Sequence, residues 1–283
     1  SLKQELKIYF DASITTIVED TTAIKNLIQV SKDYLFSDYD SSLHYGNKAI
    51  ELAKTSDWEI GLASALANKG NIFFRVSYDF DSALVLYKQA IEIHERINAS
   101  ELGGLKACKL YYLLNSCYSY QGKYEQARTE ILQSLKIAKK IEHKKYIING
   151  YNVLGSLARN LYQFEESIDY YNKCYAVIKE IDSERHESVL LGNIGITLNA
   201  QGKYKEAIDY YNQAIEIDER LGNKSGLIRH YSNASTSYRY LGELDNSIEV
   251  LNIAYQLTEE TGDAYSKSVV LSSLAIAYNI KGD

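Results

Sequence analysis

Ile168-Asp169-Tyr170-Tyr171-Asn172 recurs unchanged as Ile208-Asp209-Tyr210-Tyr211-Asn212, 40 residues further along the chain. The match widens around it. Gln121-Gly122-Lys123-Tyr124 returns two periods later as Gln201-Gly202-Lys203-Tyr204, and Leu241-Gly242-Glu243-Leu244 follows one period after that. The residue closing this turn is Tyr39, Phe80, Tyr124, Phe164, Tyr204 and Leu244 in succession, at spacings of 41, 44, 40, 40 and 40. Self-similarity at such a period marks a stack of supersecondary units, each burying its apolar face on the next. One extra residue falls near Val76-Ser77-Tyr78-Asp79 and four extra around Ser100 to Gly104. Both are expected in turns, where insertions leave helix packing intact.

Each unit reads as two amphipathic helices. Leu191, Ile194, Gly195 and Leu198 lie at i, i+3, i+4 and i+7, one face of a helix. Gly202 supplies a positive-φ stop, and Ala207, Ile208, Tyr211, Ala214, Ile215 and Ile217 form the apolar stripe of a second helix. Small residues at Gly70, Gly155, Gly195, Ser235 and Ala275 would let paired helices approach closely. Ala83, Ala127, Ser167, Ala207 and Ser247 give the matching small site on the second helix.

This order of small residue, aromatic, glycine turn, Tyr or Phe, then Ala or Ser and a second aromatic resembles the tetratricopeptide repeat. The period and Leu191-Gly192-Asn193-Ile194 are similar to its longer-helix subclass. The resemblance implies an all-α fold, a right-handed superhelical solenoid of antiparallel helix hairpins. The expected division is a capping helix over 1–22 and repeats over 23–57, 58–98, 105–142, 143–182, 183–222 and 223–262, with a half repeat over 263–283. The half repeat leaves an apolar face uncovered, so the array is expected to continue past Asp283. Asn115 stands where glycine or alanine is usual, and the third hairpin is expected to be looser.

Composition agrees with a helical reading. The 283 residues contain no proline and no methionine, which suits long helices joined by short turns. Net charge is −6 without long single-sign runs. Lys136, Lys139, Lys140, Lys144 and Lys145 form the densest basic cluster, read as a solvated helix end rather than a phosphate-binding surface. No nucleic-acid partner is therefore expected of this segment. No apolar run reaches the roughly 18 residues of a membrane span. Cys108 and Cys117, roughly 13 Å apart if on one helix, are too distant to bridge, and Cys174 occupies a small buried position. A reducing compartment is compatible with three such thiols, and cytoplasm and periplasm both stay open.

Chemistry-bearing motifs are sparse. His44, His94, His143, His186 and His230 are scattered and compose no metal-binding spacing. Glycines sit singly at repeat turns and no Gly-x-Ser-x-Gly elbow occurs. Carboxylate pairs such as Glu165-Glu166 recur with the repeat on helix surfaces. Catalytic residues, metal ligands and cofactors are expected to be none, and the chain is not expected to be an enzyme.

What the resemblance implies instead is a concave groove lined by the first helices. Its register places Asn68, Asn71, Tyr112, Ser116, Asn152, Ser156, Arg159, Asn193, Asn199, Arg229, Asn233, Arg239 and Asn279 there. Asparagine competes for backbone hydrogen bonds and is a poor helix former, so its recurrence calls for a reason. Two roles fit: a ladder of amides for a bound peptide backbone, or bridges that hold neighbouring repeats together. Only Lys109 is a cation at positions where chaperone-binding members carry a lysine-and-asparagine carboxylate clamp, so a chaperone C-terminus is not expected. Arg159, Arg229 and Arg239 admit an acidic or extended peptide. Most of the 26 tyrosines fall at core spacing.

The expected function is a protein- or peptide-binding scaffold. The alternative is the sensory region of a larger bacterial signalling protein, because Glu19 to Leu43 resembles the entry to arrays preceding a histidine kinase, a cyclase or a helix-turn-helix output. A C-terminal output domain or a homo-oligomer is compatible with either.

Overall fold

The computed structural model describes residues 20–97 and 101–282, and among these every regular element is helical. The expected capping helix over 1–22 therefore lies almost wholly outside the described residues. Helix α1 runs over 20–33. It is followed by α2 (Tyr39–Thr55), α3 (Glu59–Ile72), α4 (Phe80–Ile97), α5 (Glu101–Tyr120) and α6 (Tyr124–Lys140). Then come α7 (Lys144–Asn160), α8 (Phe164–Ile181), α9 (Glu184–Ala200), α10 (Tyr204–Arg220), α11 (Lys224–Tyr240), α12 (Leu244–Thr261) and α13 (Ala264–Lys281). The chain forms two compact units, residues 1–146 and 147–283. Within each, consecutive helices pair into hairpins and the hairpins stack.

Hairpin closeness follows from one recurring fit. A Cβ added at Gly70 would lie 2.6 Å from Tyr87 Cε1, at Gly155 2.4 Å from Tyr171 Cε1, and at Gly195 2.5 Å from Tyr211 Cε1. All three rings are fully buried. The first helix gives up a side chain and the second fills the space with a tyrosine. The third and sixth hairpins divide the volume differently. Asn115 and Ser235 take the glycine's place, and at the tyrosine's place stand Ile131 and Leu251, both fully buried. The expectation of a looser third hairpin is not met: α5 and α6 pack as closely as the other pairs, with Leu114, Cys117 and Ile131 sealed inside. A larger first-helix residue is matched by a smaller second-helix one.

The insertions are absorbed within helices as well as turns. The extra residue of the second hairpin widens the end of α3 into a π-helical turn over Phe73–Ser77, after which Tyr78 adopts a left-handed conformation (φ 54°). A π turn is how a helix accommodates one added residue without losing its downstream register. Part of the four-residue insertion lengthens α5 to 20 residues, against 17 for α7, α9 and α11.

Turns between paired helices use glycine where φ is positive, as at Gly202 (φ 78°) and Gly242 (φ 77°). Asp38, Asp79, Asn223 and Asp263 begin the next helices, their side chains accepting from the backbone N–H of Ser41, Ser82, Gly226 and Ser266. Such caps satisfy amides that have no intrahelical acceptor. The cysteines stay unpaired and buried. Cys174 Sγ donates to Ile148 O and Cys108 Sγ to Ser134 O, and burial pushes the Cys117 and Cys174 thiols up to about 12.

Candidate functional site

The residues expected along the first helices divide by what they touch. In the unit of residues 147–283, Asn193 Nδ2 donates to Asn152 Oδ1 at 2.8 Å, tying α9 to α7 one repeat apart. Both residues remain half-exposed. The bond uses one donor of Asn193 and the carbonyl of Asn152, so the pair still presents an acceptor on Asn193 and donors on Asn152. Asn233 lines a cavity of about 360 Å³ with Ser225, Arg229, Asp263, Tyr265 and Val269. Arg239 lies over the Tyr240 ring at 5.0 Å. Arg159 Nη2 donates to Asn160 Oδ1 at 3.5 Å, while Asn199 is half-buried and Asn279 exposed.

Other expected groove residues are spent on packing. Ser156 sits beside the Tyr171 hydroxyl at 3.2 Å. In the unit of residues 1–146, the Tyr87 hydroxyl donates to Asn71 Oδ1 at 2.9 Å. Asn68 is only 4% exposed, and its amide donates to Ser31 Oγ on α1 at 2.8 Å. That makes Asn68 a bridge between neighbouring hairpins. Ser116 Oγ donates back to Tyr112 O, and the Tyr112 ring packs 5.9 Å from that of Tyr146.

Two groupings escaped the sequence. The first corrects the reading of Lys109 as a solitary cation. Lys32 of α1 and Lys106 and Lys109 of α5 line one cavity of about 200 Å³ together with Asn68, Asn71 and His94. Burial, and then the Lys106 charge, lowers the His94 pKa.

The second is a sealed polar cluster. His230 of α11 and Asp218 of α10 are 0% exposed and approach to 3.3 Å between Nε2 and Oδ2. Ser188 Oγ lies 3.3 Å from the same Nε2, and Asn223 Nδ2 donates to Asp218 Oδ1 at 2.9 Å. Ser, His and Asp in one place suggest a nucleophile and its base. However, both partners meet the same ring nitrogen, and no substrate could reach a fully buried hydroxyl. A proton relay needs the two ring nitrogens to face opposite partners. Two glycines give the cluster room. A Cβ at Gly192 would lie 2.3 Å from His230 Cε1, and one at Gly226 1.9 Å from Asp218 Oδ2. Burial is the main cause pulling the His230 pKa down to about 4.

The repeat register held the signal for this pair. Asp218 stands where Ile178 and Thr258 stand one period away, and His230 where Leu190 and Val270 stand, all of them buried. Among the described residues, no group of three His, Cys, Asp or Glu side chains could hold a metal ion. No described helix is long and apolar enough to cross a membrane.

Residues 146–220 match the family model described as tetratricopeptide repeat. A curated relative, outer dynein arm-docking complex subunit 4 of Danio rerio, is 27% identical over 134 residues. That match covers 47% of this chain and 26% of the relative, so the chain spans about a quarter of the relative's length. Among solved structures, aspartyl phosphate phosphatase F from Bacillus subtilis superposes with a TM-score of 0.66 at 19% identity, over 83% of this chain and 60% of that one. A Rap protein complexed with Competence and Sporulation Factor superposes with a TM-score of 0.63 at 13% identity, over 93% and 86%. These likenesses show the fold. Residues 146–220 thus carry the tetratricopeptide repeat, and paired helices of the same kind run through the described residues on either side.

Proposed function

We propose that the chain is a scaffold that binds an extended peptide segment of a partner protein along its first helices. The Asn152–Asn193 pair carries this reading. It is held in place by its own bond and still offers a donor and an acceptor side by side, the two groups a peptide backbone needs met. The adjoining cavity at Arg229, Asn233 and Tyr265 gives room for a side chain, with a guanidinium for an acidic one. The Rap protein complexed with Competence and Sporulation Factor, similar in fold, supports it by analogy.

The test is an array of extended peptides probed with the purified chain and with the N152A/N193A/N233A variant. Peptides that bind the parent should lose at least about tenfold in affinity, roughly the value of one or two hydrogen bonds left unmade. The melting temperature should fall only slightly. Unchanged affinity in the variant would sink the proposal, and a large fall in melting temperature would show that the asparagines only hold the stack together.

A further inference from the structure

The cavity framed by α1, α3, α4 and α5 is lined by three lysines and, among the described residues, by no acid. Lys32, Lys106 and Lys109 line it from two different hairpins, and none of the described residues of its wall is Asp or Glu. None of the three forms an ion pair with a described residue, although Lys88, Lys173, Lys179, Lys224 and Lys267 all have polar or acidic partners. Like charges gathered without counter-charge repel one another, so the arrangement gains when an anion enters.

The uncharged groups point the same way. The Tyr87 hydroxyl donates to Asn71 Oδ1, which leaves the Asn71 amide hydrogens for a ligand. Ser64 is occupied with its own helix, donating to Ile60 O. His94, 3% exposed, also lines the cavity, and its Nδ1 has no hydrogen-bond partner. A buried ring nitrogen without a partner is an unmet polar group that a bound ligand or its water can satisfy.

We propose that this cavity binds a phosphomonoester, carried on a serine or threonine side chain of a peptide segment lying along α1, α3 and α5. The inference rests on the peptide-binding reading for its source and on the cavity alone for its chemistry. A carboxylate supplies one charge and two oxygens, leaving two of the three ammonium groups uncompensated. A phosphoryl group brings a charge of about −1.5 to −2 and three strong acceptor oxygens, one for each lysine. Charge-assisted bonds of this kind are the strong ones. A cavity of about 200 Å³ admits such a group on its side chain.

The probes are N-acetyl-phosphoserine amide, N-acetyl-glutamate amide and inorganic phosphate, titrated into the full chain by calorimetry at constant ionic strength in chloride. The phosphoserine probe should bind at least about tenfold tighter than the glutamate probe, the worth of one charge-assisted hydrogen bond. Lys32→Gln, Lys106→Gln and Lys109→Gln together should abolish that binding. The single exposed change Lys109→Glu should weaken it without touching the fold, and Lys136→Gln, on α6 outside the cavity, should leave it unchanged. Equal affinity for the glutamate probe overturns the phosphoryl assignment. Inorganic phosphate binding as tightly as phosphoserine overturns the peptide source. Binding that survives the lysine changes, or no binding at all, overturns the site. The probes are too small to need the asparagines of α7, α9 and α11. The N152A/N193A/N233A variant should therefore bind them normally, whatever becomes of the peptide-binding reading.

Discussion

Replacing Gly195 by alanine tests what holds a hairpin together. The new methyl would stand 2.5 Å from Tyr211 Cε1 and 2.9 Å from Cδ1 and Cζ. Carbon atoms pack comfortably at about 3.5–4.0 Å, so ring and helix must part by about 1 Å. The ring is 0% exposed and has no free direction to yield. Overpacking of this kind costs about 1–3 kcal/mol, and alanine's better helix propensity returns about 1 kcal/mol. The expected net effect is a loss of up to about 2 kcal/mol. Tyr211→Leu alone should cost about 2–3 kcal/mol by emptying part of the core. The double variant resembles the pairing the sixth hairpin already has, Ser235 with Leu251. It should fall short of the sum of the single changes by about 1–2 kcal/mol, because methyl and ring compete for one space. Urea unfolding followed by far-UV circular dichroism measures the cycle, with hydrogen exchange of α9 and α10 locating it. A neutral or stabilising Gly195→Ala, together with strictly additive changes, would refute the reasoning.

Two further predictions concern polar groups inside the second unit. Tyr211 differs from Tyr87 and Tyr171 in that its buried hydroxyl has no hydrogen-bond partner, because Ile196 stands where Asn71 and Ser156 supply one. Tyr211→Phe should therefore be neutral or stabilising in urea unfolding, while Tyr87→Phe should lose about 1 kcal/mol. An equal loss for both would show that the Tyr211 hydroxyl is satisfied in solution. His230, faced by Asp218 from α10, Ser188 from α9 and Arg229 beside it, sets an acid limit. The unfolded chain takes up this proton near pH 6.5, the folded one only near pH 4. Stability should be full above that interval and fall as pH drops through it, by up to about 3 kcal/mol. Asp38, Asp79 and Asp263 are held below the usual carboxylate range by their capping bonds, so their contribution disappears only at lower pH. The variant carrying His230→Val and Asp218→Thr, the residues found one period on, should unfold at a urea midpoint that stays level between pH 6.5 and 4. A sloping midpoint in that variant would assign the acid limit to other groups.

The hairpins were legible because their signals repeat. The Ile-Asp-Tyr-Tyr-Asn pentad, the glycine turns and the small residues opposite the tyrosines each appear several times, and repetition separates pattern from accident. The groove was less legible. Spacing put Asn68, Asn71 and Ser156 on the first helices but could not say that Asn68 turns toward Ser31, or that the other two meet tyrosine hydroxyls. Those choices depend on what the neighbouring helix offers. Lys32 and Lys106 escaped because the cavity draws on helices some 70 residues apart, and no single stretch of sequence displays it. Asp218 and His230 were visible in principle as charged letters in apolar columns of the repeat. Reading along the chain for catalytic spacings does not expose a column.

The buried pair also limits how such an array can be rearranged. The glycine and tyrosine of each close hairpin lie within the same repeat, so copying or removing a whole repeat carries both halves of that fit together. Asp218 belongs to the fifth repeat and His230 to the sixth. Duplicating the fifth alone would set a second buried aspartate against Leu190 in place of His230 and against His186 in place of Gly226, where any Cβ would lie 1.9 Å from the carboxylate. Deleting the sixth would strand the original. A buried carboxyl group that loses its polar partner, or the room it occupies, is costly. Gene duplication can therefore lengthen this chain cheaply at most junctions, but the boundary between the fifth and sixth repeats can be inherited only as a pair.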